Sequence, residues 1–217
     1  MLVCGDAPLP LTLGSLSVSS VPAIPEKDDF DEVFSKLQVT ASPRLIVVGS
    51  DAAFAAALTR LMRTDRLHVE LAYVAEQRSP ATEAYQLETG AKAANVALEG
   101  TAKEVPLIRD DAGIALVGKA VMTGPVGETL TGEAYADDTR LFSGTTPRLN
   151  VTPIPTMPGL RASVDRRWRW IPRNWVEARA VQLGTPEALV VRDGVANPRT
   201  VKRSTFYRHE RDWLLVH

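Results

Sequence analysis

Residues 45–63, LIVVGSDAAFAAALTRLMR, decide the fold because they join a strand to a helix through a short loop. Leu45–Val48 is a continuous apolar run, which is typical of a parallel strand that is covered on both faces. The loop Gly49-Ser50-Asp51 follows, and beyond it four apolar residues recur at helical spacing: Phe54, Leu58, Leu61 and Met62. The stretch therefore predicts a buried strand, a tight turn and an amphipathic helix.

The rest of residues 1–102 continues this alternation of strands and helices. The predicted strands are Leu2–Cys4, Leu11–Val18 and His68–Val74, and the predicted helices are Asp31–Leu37, Ser79–Leu87 and Ala91–Leu98. Ser79-Pro80 has the pattern of a helix N-cap followed by a first-turn proline. We therefore predict an α/β Rossmann-like domain with a mainly parallel sheet over residues 1–102.

The pattern changes after Thr101. Short β-rich runs separated by turn residues extend to the end of the chain, and none of them has a helical stripe. Asp110-Asp111-Ala112-Gly113 joins two of these runs with a hairpin signal, and Asp137-Asp138 joins two more. Residues 103–217 are therefore predicted to form an antiparallel all-β domain of the sandwich type.

The composition is that of an ordinary globular protein, with 217 residues of which 45% are hydrophobic and 24% charged. The net charge of −1 hides an uneven distribution, because residues 161–217 contain twice as many Lys and Arg as Asp and Glu. This basic third favours an anionic partner or a membrane surface. The alternative is a sheet whose outer face is covered with arginine.

Cys4 is the only cysteine, so no intramolecular disulfide can form, which fits a reducing cytoplasm. No apolar run approaches the ~20 residues that a membrane-spanning helix needs. The N-terminus lacks the pattern of a secretory signal. We therefore expect a cytoplasmic protein.

The Gly49-Ser50-Asp51 loop is the first candidate site. A glycine after a strand lets the chain turn sharply, and the first amides of the next helix then point outward, which suits a phosphate. Asp51 would cap that helix or ligate a metal that carries phosphate. The alternative is a plain strand–helix junction with Ser50 or Asp51 as the N-cap. No Gly-Lys-Ser/Thr follows, so the loop is not a Walker A loop.

The second candidate is the segment Arg166–Trp175, RRWRWIPRNW. Arg167 and Arg169 alternate with Trp168 and Trp170, so a strand here would present arginine on one face and tryptophan on the other. Such a ribbon would rest on lipid headgroups, or bind nucleic acid through stacking and phosphate contacts. The alternative is that the tryptophans close the β core; we predict no specific nucleic-acid partner.

Other catalytic patterns are missing or weak. The histidines His68, His209 and His217 are scattered, and no Cys, His and carboxylate set has metal-ligand spacing, so we predict no metal site. No Gly-x-Ser-x-Gly stretch marks a nucleophilic serine. Asp193-Gly194 predicts a tight hairpin turn in the β domain.

In its order of elements and loops, the chain resembles the diacylglycerol-kinase-type lipid kinases and, more distantly, the NAD kinases. The Gly-Gly-Asp-Gly-Thr loop of those families cradles the phosphates of ATP, and the corresponding residues here are Gly49, Ser50, Asp51, Ala52 and Ala53. Their Asp-Gly-Glu turn supplies catalytic carboxylates, and Asp193-Gly194-Val195 matches it. The resemblance implies a NAD kinase/diacylglycerol kinase-like fold, nucleotide binding by residues 49–51, a catalytic role for Asp193, and ATP with Mg²⁺ as cofactors.

The chain departs from these motifs at several positions. Ser50 and Ala52 add a Cβ where glycine would allow a phosphate to approach the backbone, and Ala53 lacks a hydroxyl donor. Val195 replaces a carboxylate that would help to deprotonate the acceptor hydroxyl. The family's Gly-Thr-x-Asn-Asp stretch has no counterpart in Ala75–Thr82, AEQRSPAT. Because phosphoryl transfer depends on positioning and charge neutralisation, these changes predict a loss of rate by orders of magnitude.

Three hypotheses follow for the function. In the first, the chain is a pseudoenzyme related to the lipid kinases that binds a small anionic ligand or a partner in a cleft between the domains, which residues 49–51 would line with Asp193 across from them. In the second, it is an active lipid or small-molecule kinase that uses ATP and Mg²⁺, with Asp51 and Asp193 in altered roles. In the third, it is a structural protein whose β domain forms a homodimer through Trp168–Trp175.

Overall fold

The computed structural model of the chain describes residues 1–37, 43–125, 128–165 and 174–217. The chain forms two compact units, which are Met1–Val105 together with Arg211–His217, and Pro106–Glu210. The α-helices that the structure describes all lie in the first unit. Within the described ranges, every helix is too short or too polar to span a lipid bilayer.

The described part of the first unit is built on a six-stranded, mostly parallel sheet. In chain order its elements are β1 (Leu2–Cys4), β2 (Ser19–Val21), α1 (Asp31–Leu37), β3 (Arg44–Val48), α2 (Asp51–Arg63), β4 (Glu70–Val74), α3 (Pro80–Tyr85), α4 (Gly90–Glu99), β5 (Ala102–Val105) and, from the end of the chain, β17 (Trp213–Val216). The strand order is β2-β1-β3-β4-β17-β5, and β5 alone among these described strands runs antiparallel to its neighbour. The predicted mainly parallel sheet is therefore confirmed.

One predicted strand of this unit is wrong. The patch Leu11–Val18 forms a 3₁₀ turn at Leu11–Leu13 instead, and β2 begins only at Ser19. Leu11 is almost fully exposed, whereas Leu13 is buried. The apolar residues of this patch therefore do not form a strand of the sheet.

Serine side chains fix where α2 and α3 begin. Ser50 Oγ accepts a hydrogen bond from the Ala53 amide at 3.3 Å, so Ser50 is the N-cap of α2. The Ser79 hydroxyl accepts from the Thr82 amide while the Thr82 hydroxyl accepts from the Ser79 amide, which is a reciprocal capping box. Both predicted helix starts are confirmed, and the predicted apolar stripe of α2 is buried at Phe54, Leu58 and Leu61.

The strand β17 belongs to the core of the first unit, although it comes from the end of the chain. The ring of Trp213 lies edge-on to Phe54 and Tyr85, at centroid distances of 5.7 and 5.6 Å, and Phe54 stacks on Tyr73 at 4.3 Å. This aromatic cluster joins β17 to α2, α3 and β4. The sequence had suggested a boundary at 102/103 with a single β domain over 103–217. The units divide at Val105/Pro106, and residues 211–217 return to the first unit.

Over its described residues, the second unit is an antiparallel sheet system of eleven strands. They are β6 (Ile108–Asp110), β7 (Ala115–Leu116), β8 (Ala120–Thr123), β9 (Leu130–Ala136), β10 (Thr139–Thr146), β11 (Leu149–Pro153), β12 (Leu160–Val164), β13 (Val176–Ala178), β14 (Ala180–Arg192), β15 (Val195–Ala196) and β16 (Val201–Arg208). The main strand order is β13-β12-β11-β8-β14-β16-β6-β7. In addition, β9 and β15 each pair with β14, and β10 pairs with β9. The predicted hairpins at residues 110–113 and 137–138 are confirmed.

The long strand β14 joins two ladders around one apolar core. Its first half pairs with β9 and β16, and its second half pairs with β8. The register shifts between Gly184 and Ala188, where Pro186 has no amide to give to a ladder. Val181, Leu183, Ala188 and Val190 from both halves are buried in the same apolar cluster. The second unit is therefore an all-β layer with a continuous core.

Gly100→Ala is expected to lower the free energy of unfolding by about 1–3 kcal/mol, the usual cost of overpacking. A Cβ at Gly100 would overlap the main-chain carbonyl oxygens of Val96 and His217, which backbone hydrogen bonds hold in place. Urea titration followed by circular dichroism measures the change. Gly184→Ala is the matched control, because a Cβ there meets no atom within 4 Å. Equal midpoints for the two variants would contradict the prediction.

Candidate functional site

The loop after β3 packs tightly against β1. A Cβ at Gly49 would lie 2.9 Å from Cys4 Cβ and 3.4 Å from Ala53 Cβ. The glycine is therefore required by the close approach of the neighbouring strand and helix. The sequence suggested that Gly49 provides a sharp turn beside a phosphate; its structural requirement is the space that β1 occupies.

Cys4 is buried beside this loop as a free cysteine. Burial raises the pKa of the Cys4 thiol to about 11, and the nearby charge of Asp29 acts in the same direction. Because the thiolate is the reactive form, Cys4 is unsuited to nucleophilic chemistry at neutral pH.

The carboxylate of Asp51 points into the first unit, where only 7% of the residue is exposed. Its Oδ1 accepts hydrogen bonds from the hydroxyls of Tyr73 at 2.8 Å and Ser79 at 2.6 Å. Its Oδ2 accepts from the amide of Ala81 at 3.0 Å. Asp51 thus ties the first turn of α2 to β4 and to the first turn of α3. The donors at the start of α3 are satisfied by a carboxylate of the protein itself.

Asp193 is held by main-chain amides in the second unit. Asp193 and Gly194 form the turn between β14 and β15, both with positive φ, as predicted for a tight hairpin. The Asp193 carboxylate accepts from the amides of Val117 at 3.1 Å, Gly118 at 2.7 Å and Lys119 at 2.9 Å. Its own amide donates to the Lys119 carbonyl at 2.9 Å. This aspartate, 7% exposed, therefore fixes the loop between β7 and β8.

Two further aspartates of the second unit also hold backbone. Asp110 Oδ1 accepts from the Ile114 amide at 2.9 Å, and the same buried side chain pairs with Arg192 at 2.7 Å. Asp137 accepts from the amides of Arg179 and Ala180. The acidic pairs in the sequence therefore mark turns, as predicted.

The predicted Arg/Trp ribbon, Arg167, Trp168, Arg169 and Trp170, lies outside the described residues. The described residue Trp175 follows the ribbon, and the guanidinium of Arg161 lies over its ring at 4.7 Å from the centroid. The membrane, partner and homodimer roles of the ribbon stay predictions, as does the grouping of the loop and Asp193 around a cleft.

The histidines do not form a cluster with other metal ligands. Within residues 1–37, 43–125, 128–165 and 174–217, no group of three or more His, Cys, Asp and Glu side chains has the arrangement of a metal site. His217 is partly buried, and burial followed by the charge of Lys103 lowers its pKa below the ordinary value for histidine.

A recess in the second unit was not predicted from the sequence. It has a volume of about 470 Å³ and is lined by Arg109, Arg179, Tyr207, Arg208, His209 and Glu210. We call it the arginine recess. Its residues come from β6, β16 and the neighbourhood of β13, so the sequence offers no local signal for it. Arg109 and Tyr207 are 98 positions apart, and only the pairing of β6 with β16 brings them together.

Two solved structures are similar to this chain over its whole length. The crystal structure of a "putative diacylglycerol kinase" from Bacillus anthracis str. Sterne has a TM-score of 0.67 and 13% identity, and the match covers 100% of this chain and 94% of that chain. An NAD kinase from Archaeoglobus fulgidus in complex with ATP has a TM-score of 0.59 and 12% identity, with coverage of 100% and 92%. The chain therefore has the two-domain fold of these kinases. No protein-family model and no curated protein sequence matches it.

Asp51→Ala is expected to lower the free energy of unfolding by about 2–4 kcal/mol, because three donors lose a buried, charged acceptor. The free energy of unfolding of Asp51→Asn should lie between those of Asp51→Ala and the wild type, since the amide oxygen of asparagine can still accept a hydrogen bond. Thermal and urea unfolding measure the difference. Asp138→Ala, at an exposed turn position, is the control and should be nearly neutral. An Asp51→Ala protein as stable as this control would show that the three hydrogen bonds contribute nothing.

Native Cys4 should react with a thiol reagent at pH 8 far more slowly than the unfolded chain. With a pKa of about 11, roughly one thiol in a thousand is ionised at that pH, and burial also limits access. Absorbance-monitored labelling with and without urea gives the two rates. Comparable rates in the folded and unfolded states would contradict the packing described for β1.

Proposed function

We propose that this chain is a kinase-fold protein that binds a small anionic ligand and does not transfer phosphoryl groups efficiently. The observation that carries the proposal is the inward-facing carboxylate of Asp51, with hydrogen bonds from Tyr73, Ser79 and Ala81. By resemblance to the lipid kinases, this is the acidic residue of the phosphate-cradling loop. In this chain it is already engaged within the first unit.

Phosphoryl transfer would require Asp51 to serve a metal or the nucleotide. A carboxylate that ligates Mg²⁺ must turn its lone pairs to the ion. Turning Asp51 outward would remove the charged acceptor of three donors, of which the Tyr73 hydroxyl keeps the Gly49 carbonyl as an acceptor at 3.2 Å, and each lost hydrogen bond to a charged group costs about 1.5–3 kcal/mol. Such a cost opposes the binding of Mg²⁺ or of a nucleotide through this residue.

The arrangement of Asp193 also supports weak or absent catalysis. A general base must lie within hydrogen-bond reach of the hydroxyl that it deprotonates. The three amides of residues 117–119 hold the carboxylate of Asp193 toward the backbone. At the position where the kinases carry a second carboxylate, this chain has the apolar Val195. The hydrogen bonds of Asp193 match those of a residue that stabilises a loop.

Binding of an anion is supported by a different part of the chain. Among the described residues, the arginine recess is lined by three arginines and one acidic residue, Glu210. The NAD kinase with the similar fold was crystallised in complex with ATP, which is itself a phosphate-bearing ligand. A nucleotide or a smaller phosphate compound is therefore the class of ligand that we propose.

An active ATP- and Mg²⁺-dependent kinase is the second candidate, favoured by the similarity over the whole chain to the protein described as a diacylglycerol kinase. A radiometric assay with γ-labelled ATP, Mg²⁺ and either diacylglycerol or NAD separates the two. We expect no phosphorylated product above background at high protein concentration, and the same result for Asp193→Asn. Product that forms with the wild type and disappears with Asp193→Asn would overturn the proposal and establish a kinase.

A further inference from the structure

We infer that the arginine recess is a binding site for a phosphate monoester, with Arg109, Arg179 and Arg208 as its cationic groups. The inference deepens the proposed anion binding, on which it rests, by assigning the site and the chemical class of the ligand. It concerns only residues of the second unit, and none of them belongs to the loop or turn that the kinase resemblance singles out.

The strand register brings these side chains together. Arg109 on β6 lies directly opposite Tyr207 on β16. The amide of Arg208 donates to the carbonyl of Arg179 at 2.8 Å, and the amide of His209 donates to the carbonyl of Leu107 at 2.7 Å. The main-chain positions of the three arginines are therefore fixed by backbone hydrogen bonds. The sheet therefore places all three residues at the rim of one recess without the help of a ligand.

The guanidinium of Arg109 is oriented before any ligand binds. Its Nε donates to the Tyr207 hydroxyl at 2.7 Å, and its Nη2 donates to the same oxygen. Since a guanidinium has five N–H groups, three of them are left for a ligand. The Tyr207 oxygen accepts both bonds, which directs its own proton away from Arg109 as a further donor. Such preorganisation reduces the entropy that binding must overcome.

The charge of the recess is poorly neutralised within the protein. Over the described residues, Arg109, Arg179 and Arg208 make no ion pair with a carboxylate, whereas five other arginines do: Arg44, Arg60, Arg148, Arg192 and Arg211. The carboxylate of Asp137 accepts hydrogen bonds from the main-chain amides of Arg179 and Ala180 and makes no ion pair with the guanidinium of Arg179, although its negative charge lies near that residue. Glu210 supplies the single carboxylate that lines the recess. Three arginines gathered in this way favour a divalent anion.

The shape and chemistry of the lining point to phosphate. Planar guanidinium forks match the oxygen atoms of phosphate and form short, charge-assisted hydrogen bonds with them. The volume of about 470 Å³ is within the range of small-molecule sites and is much larger than a phosphate ion alone. The ligand therefore has a phosphate monoester at one end and additional atoms that fill the rest of the recess.

Calorimetric titration with glycerol 3-phosphate at constant ionic strength tests this site. The double variant Arg179→Gln/Arg208→Gln should bind at least about tenfold more weakly, because it loses charge-assisted hydrogen bonds. Arg203→Gln is the matched control, since Arg203 lies exposed on β16 outside the lining of the recess, and it should bind as the wild type does. Circular dichroism spectra that match the wild type would confirm that the variants are folded.

A second arm uses vesicles of phosphatidylcholine with and without phosphatidic acid, whose headgroup is also a phosphate monoester. If the wild type binds glycerol 3-phosphate and the double variant does not, the result supports a soluble ligand. Binding only to phosphatidic acid vesicles, again lost in the double variant, supports a lipid headgroup as the source. Absence of binding in both arms, or equal weakening by Arg203→Gln, overturns the inference. Kinase activity in the radiometric assay would refute the proposed function and leave a measured phosphate site intact.

Discussion

The first unit depends on a buried carboxylate that the chain itself satisfies. Asp51 follows β3 directly, and its oxygens accept hydrogen bonds from a side chain on β4, from the N-cap of α3 and from an amide in the first turn of α3. A buried charge without such partners would strongly destabilise the fold. The position of α3 relative to the β3–α2 junction is therefore linked to this one side chain. The stacking of Phe54 on Tyr73 reinforces the same contact between α2 and β4.

The second unit uses aspartate in the same way. The carboxylate of Asp193 accepts hydrogen bonds from three consecutive main-chain amides, and that of Asp137 accepts from two. Each carboxylate thus satisfies loop amides that have no partner strand to bond with. An aspartate in this role stabilises its loop whether or not the protein catalyses a reaction. Asp51 and Asp193, which the resemblance matched to kinase motifs, therefore have a structural role that does not depend on catalysis, while Ser50, Ala52 and Val195 depart from those motifs.

The sequence predicted features whose cause is local and missed those whose cause is distant in the chain. The run Leu45–Val48, the stripe of α2 and the serine caps depend on neighbouring residues, so they could be recognised. The two-domain fold was predicted from the change of pattern after Thr101 and from the resemblance to the lipid kinases. The partners of Asp51 lie 22 to 30 positions away, and Tyr207 lies 98 positions from Arg109. A four-residue strand such as β17 does not indicate which sheet it joins. The role of Gly49 likewise depends on Cys4 in another strand, which no spacing reveals.

The fold of this molecule therefore does not by itself determine the chemistry of its side chains. At 12–13% identity, the similarity to the two kinase-fold structures is one of backbone arrangement, whereas binding and catalysis depend on individual side chains. The acidic side chains at the kinase-like positions are engaged in holding loops and helix starts. Three arginines that pair with no carboxylate of the described residues line one recess beside β6 and β16, and Arg109 is already oriented there by Tyr207. An anion is attracted to positive charge that has no carboxylate partner, so the ligand site that we propose lies with these arginines and not with the loop after β3.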